Sequence, residues 1–153
     1  MSSIKTKIDA VLGKILVVIM GTMVINVLWQ VFTRFVLGNP SSFTDELARF
    51  LMIWLGVLGA AYVSGKNMHV AIDLLPSRAN KKRQVRMRTT VDLLIILFAF
   101  AALVVGGLRL VYISYILGQH SPALQIPMAL VYITIPISGM LIIYFKIDKL
   151  IHR

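Results

Sequence analysis

Four apolar stretches divide this chain, at about 12–37, 46–64, 90–117 and 127–145. A helix that crosses a bilayer needs about 20 mostly apolar residues, and each stretch reaches or approaches that length. Lys14 interrupts the first near its start. At about 1.5 Å per residue the third would measure some ~40 Å, beyond a hydrocarbon layer of about 30 Å, so it must tilt or project. The pattern predicts an all-α integral membrane protein, a bundle of four long, tilted transmembrane helices in a single domain, 1–153. The cluster Gly38-Asn39-Pro40-Ser41-Ser42 marks a turn between the first two helices. Ser42 and Asp45 then fit a capping box, with Ser42 at the N-cap and Asp45 reaching back. Pro122 and Pro127 frame the third connection, and Pro127 suits the first turn of the last helix. Only the middle connection, 65–89, is long.

Composition strengthens this picture. The chain is 58% hydrophobic and 14% charged, with a mean hydropathy of +0.84. A soluble domain averages nearer one quarter charged, so lipid is the better solvent for this surface. The net charge of +10 would suggest nucleic acid in a soluble protein, but no polar domain is present to bind it. The basic residues instead report topology. Lys5, Lys7 and Lys14 flank the first helix; Lys66, Arg78, Lys81, Lys82, Arg83, Arg86 and Arg88 occupy the middle loop; Lys146, Lys149 and Arg153 flank the last helix. These are thirteen of the sixteen, and the short connections 38–44 and 118–126 have none. Both termini and the middle loop are therefore expected in the cytoplasm, with Arg78, Lys81, Lys82 and Arg83 at lipid headgroups. The first apolar stretch is too long for a signal-peptide core and lacks a small-x-small cleavage pattern. Absence of cysteine excludes disulfides and thiolate metal sites.

Polar residues inside the apolar stretches require partners. Thr22, Asn26, Gln30 and Arg34 recur every four residues and form one stripe on the first helix. The stripe either joins helices within the chain or meets a second membrane protein. Asp45, Glu46 and Arg49 open the second helix at i,i+3 and i,i+4 spacing, with Arg34 expected across the hairpin. This charge cluster either closes the hairpin or docks an extracytoplasmic partner. Arg109 lies 17 residues beyond Asp92, toward the same outer surface, and is expected to pair with Asp45 or Glu46. Gly56 and Gly59 with Ala60 and Ala61, then Gly106-Gly107 and Ser138-Gly139, mark close helix approaches, and Pro136 should kink the last helix.

Catalytic and transport chemistry find little support. His69 and Asp73 share a helical spacing but lack further metal ligands, and no histidine lies at mid-membrane to ligate haem. No nucleophile–base or acid–base constellation is present, so the chain is not read as an enzyme and no cofactor or metal is expected. All six acids, Asp9, Asp45, Glu46, Asp73, Asp92 and Asp148, map to loops or helix ends, where they would not couple ion movement.

The segment Trp29-Gln30-Val31-Phe32-Thr33-Arg34-Phe35, followed by Phe43-Thr44-Asp45-Glu46-Leu47-Ala48-Arg49-Phe50, resembles the small membrane (Q, DctQ-like) subunit of tripartite ATP-independent periplasmic (TRAP) transporters. The likeness continues through Gly59-Ala60-Ala61, His69-Val70-Ala71-Ile72-Asp73-Leu74 and Ser121-Pro122-Ala123-Leu124-Gln125-Ile126-Pro127, and on to Tyr132 and Pro136. One departure is Phe43-Thr44, where the family often has tryptophan before its acidic pair. The resemblance implies a bacterial inner-membrane complex that imports organic acids, such as sialic acids or C4-dicarboxylates, by sodium-coupled symport. A periplasmic protein captures the substrate, and a large M subunit carries it by an elevator-type movement. The small subunit packs against M and anchors it, with Asn26, Trp29, Gln30, Arg34, Gly56 and Gly59 as expected subunit contacts. Asp45, Glu46, Arg49 and Arg109 are expected to dock the periplasmic partner or to form the charge cluster. The competing readings are a small self-associating transporter or channel lined by the Thr22–Arg34 stripe, and a membrane anchor of an enzyme complex.

Overall fold

The computed structural model describes residues 3–39, 41–66 and 81–151. Helix α1 runs Ser3–Phe35 and α2 Ser42–Gly65. The third span is continuous but not uniform: α3, Lys81–Phe98, passes through a π-helical segment, Ala99–Gly106, into α4, Gly107–Ile116. The fourth span comprises a short α5, Met128–Tyr132, and α6, Thr134–Ile151. Among the described residues, four helical spans are thus long and apolar enough to cross a membrane.

The helices exceed the apolar stretches that predict them. At 33 residues α1 is about 50 Å long, well over the ~30 Å of hydrocarbon. Polar residues such as Lys5, Thr6 and Lys7 extend it because a helix beyond the hydrocarbon still satisfies its own backbone. Helices α1 and α4 stop by the same device. Gly38 and Gly118 adopt positive φ (66° and 57°), and the amide of the next residue reaches back, Asn39 to the Thr33 carbonyl and Gln119 to the Ser114 carbonyl. Glycine enters that left-handed conformation without a Cβ penalty.

The N-terminus of α2 departs from the expected capping box. Ser41 occupies the N-cap and makes no side-chain cap bond. The Thr44 hydroxyl donates to the Ser41 carbonyl instead, and Asp45 turns away to other partners.

The main packing order runs from the first span to the second, from the second to α6, and from α6 to the π segment. The core is a narrow seam of Leu12, Ile19, Leu51, Leu58, Ala61, Ala99, Ile142 and Phe145. Glycines set the closest approaches. A Cβ on Gly139 would stand 2.8 Å from the Cβ of Leu103, and one on Gly107 would stand 2.9 Å from Cδ of Pro136. Pro136 lacks an amide hydrogen, and the helix is interrupted at Ile133 just before it. At that break the Val131 carbonyl accepts hydrogen bonds from Trp54 Nε1 at 3.0 Å and Thr134 Oγ1 at 2.8 Å.

So thin a seam leaves most apolar surface uncovered. Only 17% of the most apolar window of the first and third spans is buried within the chain, against 33% for the second and fourth. Lipid or protein must cover the remainder.

Candidate functional site

Polar side chains concentrate at the two ends of the bundle. The hairpin end carries the connections 36–41 and 117–127; the terminal end carries both chain ends.

At the hairpin end, two residues of the α1 stripe are bound to α2. Asn26 is 7% exposed and donates through Nδ2 to the Thr44 carbonyl at 2.7 Å. Gln30 Nε2 donates to Asp45 Oδ1 at 3.2 Å, while Arg49 Nη2 donates to Asp45 Oδ2 at 2.6 Å. Thr22 bonds only its own helix, at the Val18 carbonyl. Arg34 is exposed and stays out of the cluster, contrary to expectation. The reason is register: the N-terminus of α2 sits beside residues 26–30, so the last turn of α1 overhangs it.

Glu46 also departs from its expected pairing. Its Oε2 accepts the backbone amides of Ala123 and Leu124, both at 2.9 Å. Ser121 is fully buried, and the 117–127 connection closes on itself through Ser121 N to the Ile126 carbonyl and Met128 N to the Gln119 carbonyl. Glu46 therefore holds the connection between the third and fourth spans. Arg109 is exposed and forms no ion pair among the described residues, which corrects the expected pairing with Asp45 or Glu46. Its depth suits those acids, but Asp45 is taken by Gln30 and Arg49, and Glu46 by the loop.

The other expected subunit contacts lie open. Trp29 is 54% exposed and stacks obliquely on Phe32, with ring centroids 5.9 Å apart. Among the described residues, no atom outside their own helical surroundings lies within 4 Å of where a Cβ on Gly56 or Gly59 would stand. Alongside Gly56 a 290 Å³ groove runs past Ala60, Ile95 and Phe98 to Ser64, whose buried hydroxyl has no partner among the described residues.

The terminal end holds a charge network that the sequence reading missed. Lys146 Nζ donates to Asp92 Oδ1 at 2.9 Å, with both side chains almost fully buried, and Lys149 approaches Asp92 Oδ2 at 3.4 Å. Lys5 pairs with Asp148 at 3.7 Å. Lys5, Lys146 and Lys149 thus join helices, and the expected belt of free headgroup lysines is smaller than the charge count implies. The signal was available: Asp92 and Lys146 lie at comparable distances either side of the third connection, which brings them level in an antiparallel pair. Arg78, His69, Asp73 and His152 fall outside the described residues, as do the side chains of Lys81, Lys82 and Arg83. Among the described residues no three histidine or carboxylate side chains gather as a metal site.

These features define a multi-pass helical membrane subunit whose bound polar groups tie helices and connections together, with wide apolar faces left for other contacts. The chain belongs to the DctQ family. The family model for the DctQ component of tripartite ATP-independent periplasmic transporters matches residues 23–153. This is a permease subunit and not an enzyme.

Similar proteins agree. A protein of Haemophilus influenzae assigned as a TRAP transporter small permease is 26% identical over 151 residues, covering 99% of this chain and 92% of that protein. The sialic acid TRAP transporter small permease SiaQ of Vibrio cholerae is 23% identical over 140 residues, 89% of this chain and 77% of its own. A sialic acid TRAP transporter permease of Haemophilus influenzae, SiaT, is 30% identical over 88 residues, which are 58% of this chain and only 14% of that longer protein.

Proposed function

We propose that this chain is the stationary small subunit of a TRAP transporter, packed against a large M subunit that carries an organic acid across the bacterial inner membrane with a sodium gradient. The observation that carries this reading is the match to a permease in which the matched segment fills only 14% of the length. A small-subunit sequence found within a far longer permease suits two parts that work as one membrane unit. The uncovered apolar faces of the first and third spans, and the open Gly56 and Gly59, offer surface for such a partner.

An elevator-type carrier needs one part held still while another slides. Spans longer than the hydrocarbon, with basic residues gathered at one end, resist displacement along the membrane normal. In this reading both termini and the basic middle loop face the cytoplasm. Arg78, Lys81, Lys82 and Arg83 meet anionic headgroups there, and the hairpin end faces the periplasm. Asp45, Arg49 and the exposed Arg34 and Arg109 then form a charged rim for transient docking of the substrate-binding protein. Glu46, bound to its loop, lines the same rim beside Asp45 and Arg49.

Co-expression with the large permease subunit and purification through a tag on this chain tests the reading. Stoichiometric recovery of the larger protein is expected, and uptake of labelled organic acid should require both chains. Uptake into liposomes by this chain alone would overturn it.

A further inference from the structure

Arg49 and Arg109 stand at equal depth at the hairpin end of the bundle. Arg49 lies seven residues inside the start of α2 at Ser42, and Arg109 seven residues inside the end of α4 at Ile116. Each is about 10 Å along its helix from that end. Helical side chains lean toward the N-terminus of their own helix. The two helices run in opposite directions, so one rule gives two outcomes. Arg49 leans outward, where its Nη2 meets Asp45 Oδ2 at 2.6 Å. Arg109 leans back toward the bilayer interior, with Leu110, Val111, Ile113 and Ile116 between it and the helix end. Among the described residues no carboxylate pairs with it.

The surface around Arg109 is uncovered. Its neighbours one turn to either side are Val105, Gly106, Tyr112 and Ile113, and all four are exposed. The two adjacent glycines separate the covered side of the span from the open one. A Cβ on Gly107 would stand 2.9 Å from Pro136 and 3.0 Å from Ile135, whereas one on Gly106 would meet only the Ala101 carbonyl of its own span, at 3.7 Å. The open side therefore carries a glycine that admits a close helix approach and, one turn on, a cation without a counter-ion. An unpaired guanidinium at this depth is costly, and lipid tails cannot relieve it. The phosphates of the nearer leaflet lie on the side from which the side chain leans away, and so does any soluble protein seated on the rim. A carboxylate carried on another membrane helix satisfies both the charge and the depth.

We propose that Arg109 is the intramembrane pairing site for the large permease subunit, with one transmembrane helix of that subunit lying along Gly106 and presenting an aspartate or glutamate to the guanidinium. This rests on the proposed function and adds to it the helix face and the chemistry of the contact. Arg109 then marks the membrane edge of the charged rim, and Arg34, Asp45 and Arg49 form its outer part.

The test is co-expression with the large subunit and purification through a tag on this chain, read as the ratio of large to small subunit. Arg109→Glu should lower that ratio about tenfold or more, because it sets two carboxylates against each other in a desolvated contact. Arg109→Leu should lower it too. Arg49→Glu, the same charge change at the same depth on α2, should leave it unchanged. Against Arg109→Glu, replacing the membrane-embedded acids of the large subunit one at a time by arginine should find one that restores recovery. The isolated Arg109→Leu chain should melt in detergent at the wild-type temperature, since the side chain is exposed. Full recovery with Arg109→Glu, an equal loss with Arg49→Glu, no restoring acid, or a lowered melting temperature of the isolated Arg109→Leu chain would each overturn the pairing while leaving the subunit role intact. A wild-type chain that recovers no large subunit would overturn that role, and the pairing with it.

Discussion

Asp45 and Glu46 are neighbours in sequence and both acidic, yet their surroundings give them different work. Asp45 is half-exposed and shares its carboxylate between Gln30 and Arg49. An exposed pair of this kind contributes at most about 1 kcal/mol, so Asp45→Ala should change thermal stability little while weakening any docking at the rim. Glu46 accepts two loop amides, and Glu46→Gln should loosen the 117–127 connection. Limited proteolysis would then cut that loop faster than in Asp45→Ala. The buried Asp92–Lys146 pair gives a sharper asymmetry. Asp92→Leu strands the Lys146 ammonium in the interior and should cost about 3–5 kcal/mol. Lys146→Met leaves Asp92 with Lys149 at 3.4 Å and should cost less. The double variant Asp92→Leu/Lys146→Met should recover much of the loss, measured as melting temperature in detergent.

Between elements, glycine separates contacts made inside the chain from surface left open. Gly139 and Gly107 are where α6 meets the π segment and α4, with no room for a Cβ. Gly139→Leu should destabilise the isolated chain by about 1–3 kcal/mol or more through overpacking. Gly56 and Gly59 face open space, so Gly56→Leu or Gly59→Leu should leave the isolated chain's melting unchanged. If that face meets the large permease, the same variants should reduce co-purification. Sequence alone grouped all four glycines as close-packing residues, because composition and spacing do not say which face has a neighbour. The segment Phe43–Phe50 was better marked. Its Thr44 carbonyl, Asp45 and Glu46 tie α2 to α1 and to the third connection, while Ala48 and Phe50 are buried.

For the molecule as a whole, the proposed orientation gives a direct prediction. The chain has no cysteine, so single cysteines report position without background. Gln119→Cys lies in an exposed connection and should react with a membrane-impermeant maleimide added to intact cells. Lys66→Cys should react only after the membrane is permeabilised. The reverse pattern would invert the topology and move the docking rim to the cytoplasm.

What the sequence determined by itself was the solvent, the number of spans and the family, because twenty-residue apolar runs and an ordered set of short motifs are local properties. It also singled out Asn26, Gln30, Asp45 and Glu46 as residues needing partners, since polar atoms beside hydrocarbon cannot stay unbonded. Which partners they take was decided only by the tertiary structure. Placing the start of α2 beside residues 26–30 left Arg34 outside the cluster. Folding the third connection over Glu46 gave that carboxylate the Ala123 and Leu124 amides. Antiparallel packing of the last two spans buried Lys146 on Asp92, turning a residue that counts toward topology into one that holds helices together. Each outcome depends on register between elements distant in sequence, and hydrophobic periodicity carries no information about that register.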